Sequence, residues 1–352
     1  MASLVVQTSF LGDVILTTPL IAELARRAPV DVVTTPEGAA VLANNPDIRS
    51  VITYDKRGPD RGVRGFTRIV SRLRDAGSFG RRVGTPPPGE RGEYETAYLA
   101  QGSVRSAALA VAARIGKRIG FRTSAGRALY TARVEYQADR HHAERLWWLS
   151  MSQCADPPHA EQITPRLYPG ADDVRVVDAL LAANGIGAQT RFVAIAPGSA
   201  WGTKRWPFYP ELAVRLANEH RVVIVGGTGD AALGAAIIAQ LRLGRGINAA
   251  GQLGVLASAE LIRRAAALVT NDSAPQHLAS AVNTATLAIY GPTVASFGFG
   301  PLAARSATVG QDSLACRPCH THGPQRCPLG HWRCMRELSS DHVFDLLART
   351  LS

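Results

Sequence analysis

Apolar and polar residues along the chain follow two periods that alternate with one another. Residues 3–8 form a short β-branched apolar run, whereas from residue 14 the apolar positions recur at helical spacing. This change of period predicts a strand, a tight loop and a helix. Further strands are predicted at 30–35 and 51–54, with a short helix at 39–43 between them. Strands that alternate with helices indicate a parallel, doubly wound sheet.

The alternation is interrupted at two places. Residues 76–92 are rich in glycine, proline and arginine, which is typical of a flexible surface insertion. A polar, proline-bearing stretch at 155–171 indicates a linker. We therefore expect two Rossmann-like α/β domains, at 1–165 and 172–335, followed by a helix at 338–352. The remaining predicted strands are 94–100, 117–121, 192–196, 222–225, 268–270 and 286–290, and the remaining predicted helices are 107–113, 141–151, 174–183, 208–218, 231–241 and 278–282.

Composition agrees with a globular protein of two domains. The chain has 352 residues, of which 46% are hydrophobic, enough for two cores. No apolar run approaches the roughly 18 residues of a membrane span. The first residues lack the basic segment and cleavage site of a signal peptide. We therefore expect a cytoplasmic protein.

The chain carries a large excess of positive charge. The net charge is +11, and much of the excess lies in the first half of the chain. Such a balance favours an acidic partner, which is a nucleic acid, an anionic membrane surface or a phosphorylated substrate. An aromatic content of 6%, without interleaved basic residues, argues against a stacking platform for single-stranded nucleic acid. A compositional bias of the source is the alternative explanation of the excess.

The loop after the strand at 192–196 is rich in groups that bind anions. It carries the hydroxyl of Ser199, the adjacent cations Lys204 and Arg205, and glycines that let a ligand approach the backbone. Open α/β sheets bind their ligands at the carboxyl ends of strands. A diphosphate is the ligand that these groups predict. An ordinary connecting loop with solvated charges is the alternative.

A second set of polar residues follows the strand at 268–270. Asp272 or Ser273 can cap the next helix, whose backbone N–H groups would then point toward an anion. In addition, Asp272 can accept hydrogen bonds from a sugar diol and His277 can donate to a phosphate. A capping aspartate and a satisfied helix histidine are the alternative. The glycine-rich turn at 226–229 is a weaker signal, because it does not match the dinucleotide fingerprint.

Asp13 lies where the first strand gives way to a helix. An isolated aspartate there is often a helix N-cap. A carboxylate at the mouth of a cleft equally suits a general base that removes a hydroxyl proton. Spacing alone leaves both interpretations open.

Three segments together resemble the heptosyltransferases, glycosyltransferase family 9. They are Phe10-Leu11-Gly12-Asp13, Ala196-Pro197-Gly198 with Lys204-Arg205-Trp206-Pro207, and Thr270-Asn271-Asp272-Ser273 with His277. Further similarity covers nearly the whole chain, at Arg105-Ser106, Arg118-Ile119-Gly120-Phe121 and Tyr290-Gly291-Pro292-Thr293. The spelling of the second and third segments is closest to the heptosyltransferase II type, which adds a second heptose.

The resemblance implies an α/β fold of the GT-B class, with two Rossmann-like doubly wound domains facing a central cleft. The first domain of such a fold binds the acceptor, the second binds the nucleotide-sugar donor, and the last helix returns to the first domain. The implied reaction is inverting transfer of heptose from ADP-heptose to the inner core of lipopolysaccharide, with no cofactor required for catalysis. The implied partners are that donor or another nucleotide sugar, a phosphorylated lipid-linked core saccharide and an anionic membrane surface, with no nucleic acid expected. Localisation would be cytoplasmic and peripheral to the inner face of the cytoplasmic membrane.

The resemblance also assigns roles to particular residues. Asp13 matches the catalytic base, Lys204 the cation on the donor diphosphate, and Ser199 a hydroxyl beside it. The donor-binding helix start is matched by Asp272, Ser273, Ala274 and His277, with alanine at 274 where the family usually has glycine. Asp230 falls near a position that binds the nucleoside, and Arg105 lies on the acceptor side.

Four cysteines are concentrated near the end of the chain. Cys316, Cys319, Cys327 and Cys334 are interspersed with histidines, but only the first pair has typical zinc-finger spacing. A structural zinc ion is one interpretation. Reduced or partly oxidised cysteines that organise a loop are the other.

Two other classes of function compete with heptosyl transfer. One is a GT-B glycosyltransferase or epimerase that uses a different nucleotide sugar. The other is a non-catalytic protein that binds a nucleotide sugar or nucleic acid. A carboxylate base on the acceptor side distinguishes an enzyme from a binding protein, because binding alone requires no base.

Overall fold

A computed structural model describes residues 2–76, 94–151 and 156–351. The chain divides into two compact units, Met1–Ile163 and Thr164–Ser352. The insertion predicted at 76–92 lies outside the described residues from position 77 onward. The boundary between the units falls within the stretch that the sequence predicts as a linker.

The first unit contains a six-stranded sheet in the order β3-β2-β1-β4-β5-β6, with neighbouring strands parallel. Its strands are β1 Ala2–Gln7, β2 Val30–Thr34, β3 Ser50–Thr53, β4 Tyr94–Leu99, β5 Lys117–Phe121 and β6 Ala132–Val134. Its helices are α1 Leu11–Leu16, α2 Thr18–Ala25, α3 Pro36–Val41, α4 Gly62–Ala76, α5 Val104–Ala112, α6 His142–Trp147 and α7 Ala160–Ile163.

The second unit repeats this strand order. Its sheet runs β12-β11-β10-β7-β8-β9, again with parallel neighbours. Its strands are β7 Phe192–Ala196, β8 Arg221–Ile224, β9 Gly246–Asn248, β10 Ala267–Asn271, β11 Thr286–Ile289 and β12 Ser306–Val309. Its helices are α8 Ala171–Ala183, α9 Tyr209–Leu216, α10 Ala231–Ile238, α11 Val255–Arg264, α12 Ala274–Ala281, α13 Arg333–Arg336 and α14 Ser340–Leu351.

The central strands are continuous apolar runs because both of their faces are covered. Every residue of β1, β7 and β10 is buried, which is the pattern of a parallel sheet with helices on both sides. The short edge strands β6, β9 and β12 are not predicted by the sequence, since three or four residues give little periodic signal. The first helical stretch is divided into two helices, α1 and α2, and Pro19 lies in the first turn of α2.

The strand orders place one switch point in each sheet. The order reverses between β1 and β4 in the first unit and between β7 and β10 in the second. Open α/β sheets bind ligands beyond the carboxyl ends of the strands that flank this point. The segments following β1, β4, β7 and β10 are therefore the places where chemistry is expected.

The C-terminal helix α14 packs on α9, β11 and β12 within the second unit. Its Val343 and Leu347 are fully buried members of the apolar core of that unit. The physical reason is that these side chains complete the apolar layer beside the β11–β12 edge of the second sheet.

Among the described residues, no helix combines the length and the apolar character that a membrane span requires.

Candidate active site

A buried ion pair joins the two segments at the switch point of the second sheet. Lys204, in the loop after β7, donates from Nζ to Asp272 Oδ2 at 2.5 Å and approaches the Asp272 carbonyl at 3.3 Å. The side chains of Lys204 and Asp272 are 9% and 12% exposed. Two segments that the sequence predicts independently as anion-binding thus meet at one point, with a cation at its centre.

The Asp272 carboxylate is held from further directions. Thr293 donates to Oδ2 at 2.7 Å, and the amide of Gln276 donates to Oδ1 at 3.0 Å. Gln276 is itself fixed, because its Oε1 accepts from the buried Tyr290 hydroxyl. Three side chains therefore donate to this carboxylate, and the N-cap residue of the following helix is Ser273, so the alternative of a simple capping aspartate does not hold.

Asn271, the last residue of β10, fixes both ends of the loop that carries Lys204. Its Nδ2 donates to the carbonyls of Pro197 and Gly198 at 2.8 and 3.2 Å. Its Oδ1 accepts from the Trp206 backbone N–H and the Tyr209 hydroxyl. All donors and acceptors of this fully buried amide side chain are used within the fold, so the loop is held in one arrangement.

The hydroxyl of Ser199 lies in the same loop. Ser199 is 8% exposed and its Oγ accepts from the Trp201 backbone N–H at 3.2 Å. Arg205 is exposed and donates from Nε to the Ser199 carbonyl. Of the two adjacent cations, Lys204 therefore faces the switch point while Arg205 braces the loop.

The helix that follows β10 begins at residue 274, earlier than the predicted range 278–282, and directly after the residues that the sequence offers as caps. Ser273 is the N-cap residue of α12, Ala274 is the first helical residue, and a proline occupies the first turn. The Ser273 side chain donates to the Asn271 carbonyl and makes no capping bond to the helix. His277, in the second turn, is 5% exposed.

Asp230 lies against the same loop from the neighbouring strand. It follows β8, and its Oδ2 accepts from the Gly227 backbone N–H at 3.0 Å. A Cβ placed on Gly198 would come within 2.1 Å of Asp230 Oδ1. The close approach of this carboxylate to the backbone at 198 explains why that position requires glycine.

In the first unit, Asp13 lies just beyond the carboxyl end of β1, in the first turn of α1. The N-cap of α1 is Phe10, and no side chain forms a capping bond there. Asp13 Oδ2 instead accepts from Ser9 Oγ at 2.7 Å, and the Asp13 side chain is 21% exposed. The capping interpretation of Asp13 is thus wrong, and a partly exposed carboxylate remains at this switch point.

Cations lie near the same strand ends. Lys56, just after β3, donates from Nζ to the Thr8 carbonyl at 2.7 Å. Burial lowers the pKa of Lys56, and the nearby charges of Arg105 and Arg57 lower it further. Arg105, in the first turn of α5, is exposed. Clustered cations of this kind form a place where an anion is favoured.

The cysteine-rich segment, residues 311–335, packs on the loop that carries Lys204. Gln325 exchanges hydrogen bonds with Gly202 and Ala200, and Trp332 donates from Nε1 to the Thr203 carbonyl. On its other side the side chain of Arg317 donates to the carbonyls of Tyr290, Gly291 and Thr293. This segment therefore contacts both the Lys204 loop and the residues adjoining Asp272.

All four cysteines of this segment are free thiols, with Cys334 buried in the apolar core of the second unit and Cys319 exposed. Within the described part of the chain, no group of three His, Cys, Asp or Glu side chains is placed to hold a metal ion. The structural zinc ion stays a prediction of the sequence. Burial and the neighbouring thiols raise the pKa of Cys334 to about 11.

The structure brings together most of the residues that the sequence singles out in each half. Lys204, Asp272, Ser199, Ser273 and Asp230 surround one switch point, and Asp13 lies at the other. Several contacting residues are given no role by the sequence analysis: Ser9, Lys56, His142, Asn271, Gln276, Thr293 and Arg317. Asn271 and Thr293 lie within the segments that resemble the family, and Ser9 and Gln276 each lie four residues from an aspartate that they contact. The remaining three carry no local pattern and reach the site only through the fold.

Comparison with known proteins shows the family to which the chain belongs. A family model described as "Glycosyltransferase family 9 (heptosyltransferase)" matches residues 90–330. The chain belongs to glycosyltransferase family 9. A curated relative, lipooligosaccharide heptosyltransferase 2 of Haemophilus ducreyi, is 26% identical over 84% of this chain and 85% of its own length.

Solved structures of the family share the fold. A glycosyl transferase of family 9 from Veillonella parvula superposes with a TM-score of 0.83 at 20% identity, covering 99% of this chain and 97% of its own. ADP-heptose lps heptosyltransferase II of E. coli superposes with a TM-score of 0.76 at 24% identity, covering 100% of this chain and 98% of its own. The protein is accordingly a glycosyltransferase with the α/β architecture of the GT-B class.

Proposed function

We propose that the protein is an inverting heptosyltransferase that moves heptose from ADP-heptose to the phosphorylated inner core of lipopolysaccharide. The observation that carries the proposal is the pair of switch points, one with a partly exposed carboxylate and the other with a buried lysine. Inverting transfer requires a base for the acceptor hydroxyl and positive charge for the departing diphosphate. The names of the family 9 relatives support the choice of sugar and acceptor.

On the donor side, Lys204 is the main source of positive charge. The ammonium group of Lys204 has three N–H donors. Two acceptors on Asp272, the carboxylate oxygen Oδ2 and the backbone carbonyl oxygen, lie within reach of them. The backbone N–H groups at the start of α12 add partial positive charge beside it. Together they stabilise the nucleoside diphosphate as the bond to the anomeric carbon breaks. Asp230 is placed to accept from the nucleoside hydroxyls, and Ser199 and His277 to donate to the phosphates.

On the acceptor side, Asp13 removes the proton of the attacking hydroxyl. Ser9 donates to one oxygen of the carboxylate, which fixes its orientation. Lys56 and Arg105 attract the phosphate groups of the acceptor, and their mutual repulsion makes an anion favourable there. This division of labour assigns the acceptor to the first unit and the donor to the second.

The test is transfer by the purified full-length protein. ADP-heptose and a heptose-deficient core acceptor are incubated with wild type, Asp13→Asn and Ser9→Ala, and the product is analysed by mass spectrometry and NMR. We expect Asp13→Asn to lower kcat by about 100- to 10,000-fold, the usual loss on removing a general base. Ser9→Ala keeps the base and should cost far less.

Each alternative gives a different result in the same assay. Transfer by Asp13→Asn at the wild-type rate would show that Asp13 is not the base. Turnover of another nucleotide sugar, but not of ADP-heptose, would transfer the donor assignment to that sugar. Retention of the donor's anomeric configuration in the product would contradict the inverting mechanism.

A further inference from the structure

His142 lies beside Asp13 and has no part in the function proposed above. His142 Nε2 is 3.8 Å from Asp13 Oδ1, and the His142 side chain is 13% exposed. The other carboxylate oxygen, Oδ2, accepts from Ser9 Oγ. The two oxygens of Asp13 therefore face different partners, a hydroxyl on one side and an imidazole on the other.

The backbone holds His142 in this position. It is the first residue of α6, whose N-cap is His141 with a side chain that accepts from the Ala143 backbone N–H. Helix α6 packs against α1, which carries Asp13, and against α2. Leu146 and Trp147 are buried on its inner side. The imidazole is thus fixed relative to the carboxylate by the packing of two helices.

The buried position of His142 favours a neutral imidazole that can accept a proton. Burial lowers the pKa of His142 from the usual 6.5, the charge of Asp13 raises it, and the charge of Arg145 lowers it. Arg145 is itself fixed by the Tyr136 hydroxyl and the Gln137 carbonyl. The carboxylates on the other elements packed with α6, and on α6 itself, are Glu23, Glu161 and Glu144. Glu23 is paired with Arg26 and Arg27, Glu144 is near Arg140, and Glu161 is exposed.

We propose that His142 is a positioning residue that orients the Asp13 carboxylate and relays the proton that Asp13 removes from the acceptor. The proposal rests on the function proposed above. The acceptor oxygen forms a bond to the anomeric carbon while the bond from that carbon to the diphosphate oxygen breaks, and the electron pair leaves with the diphosphate. The proton passes from the acceptor hydroxyl to Asp13 Oδ1, from there to His142 Nε2, and finally to water.

This relay restores the carboxylate for the next turnover. The 3.8 Å separation is longer than a hydrogen bond, as catalytic contacts often are without substrate. A small rotation of either side chain would bring the two atoms into hydrogen-bonding distance, and one water molecule could equally bridge them.

The first experiment compares His142→Gln and His142→Phe with wild type over a range of pH. Glutamine can donate a hydrogen bond to Asp13 but takes no proton, whereas phenylalanine fills the space without either property. We expect both variants to keep the donor KM and to lose about 100-fold in kcat at neutral pH, the lower end of the range for proton-transfer assistance. His159→Gln, at an exposed position of the same unit, is the matched control.

The pH profile separates a proton relay from a purely structural role. In wild type kcat should fall as the pH drops through the lowered pKa of His142, because a protonated imidazole takes no further proton. In His142→Gln that fall should disappear from this pH range, because glutamine has no group that titrates there. A His142→Gln variant with the kcat and pH profile of wild type would overturn the proposal.

A second measurement is independent of heptosyl transfer. The imidazole of His142 is titrated by NMR in the free full-length protein, in wild type and in Asp13→Asn. Since the charge of Asp13 raises the pKa of His142, removing that charge should lower it further. An unchanged titration would refute the pairing. If wild type transferred no heptose but this shift were present, the proposed function would fail while the pairing stood.

Discussion

At the scale of single residues, Lys204 contributes to the fold in addition to its proposed role at the donor. Its ammonium compensates the charge of Asp272, and both side chains are at most 12% exposed. Removing one partner of a buried ion pair leaves an uncompensated charge, which costs about 3–5 kcal/mol. A simple Lys204 variant therefore confounds lost donor binding with lost stability.

A double variant separates the two effects. Lys204→Met should lower the free energy of unfolding by about 3 kcal/mol, and adding Asp272→Asn should recover most of it, because the amide carries no charge. The affinity for ADP should stay reduced in both. Urea unfolding and calorimetric titration with ADP measure the two quantities, and Arg205→Met controls for net charge. A double variant that bound ADP as tightly as wild type would remove Lys204 from the donor site.

At the scale of elements, the cysteine-rich segment forms one wall of the Lys204 loop. Gly323 in this segment has a φ of +86°, and a Cβ there would lie 3.2 Å from both Lys204 Cε and Pro292 Cγ. Gly330 has a φ of +70°, but a Cβ there would meet nothing within 4 Å. The two glycines thus share a left-handed backbone and differ in contact with the loop.

This difference provides a matched pair of variants. Gly323→Ala and Gly330→Ala should both pay about 1 kcal/mol for a left-handed alanine. Only Gly323→Ala displaces the Lys204 side chain, so we expect its donor KM to rise several-fold while that of Gly330→Ala stays near wild type. Steady-state kinetics with varied donor concentration measures this. An equal rise in both variants would mean that the segment acts through stability alone.

The same elements show how far the sequence predicts the fold and the site. The central strands and the two polar loops are predicted, because continuous apolar runs and capping residues leave local patterns. Asn271 and Thr293 are not given a role, since their importance comes from partners 74 and 21 positions away along the chain. The contacts of α14 with α9, β11 and β12 are not predicted for the same reason: an amphipathic pattern predicts a buried face but does not say which surface covers it.

At the scale of the whole molecule, part of the excess positive charge lies on one exposed helix of the first unit. Helix α4 buries Ile69 and Leu73 and exposes Arg64, Arg68 and Arg72, which are four residues apart and lie along one face. Arg68 is paired with Asp60 at 3.0 Å. We therefore predict that this row of arginines attracts anionic lipid headgroups.

Binding to anionic lipid should therefore depend on α4. Each arginine near such a surface contributes about 1 kcal/mol, so Arg64→Gln with Arg72→Gln should weaken binding to phosphatidylglycerol vesicles by about 30-fold. Arg175→Gln with Arg242→Gln removes the same charge from exposed positions of the second unit and should have little effect. Cosedimentation at low and high salt measures both, since screening weakens a surface attraction of this kind. Equal losses in the two pairs would show that net charge, and not the face of α4, governs membrane binding.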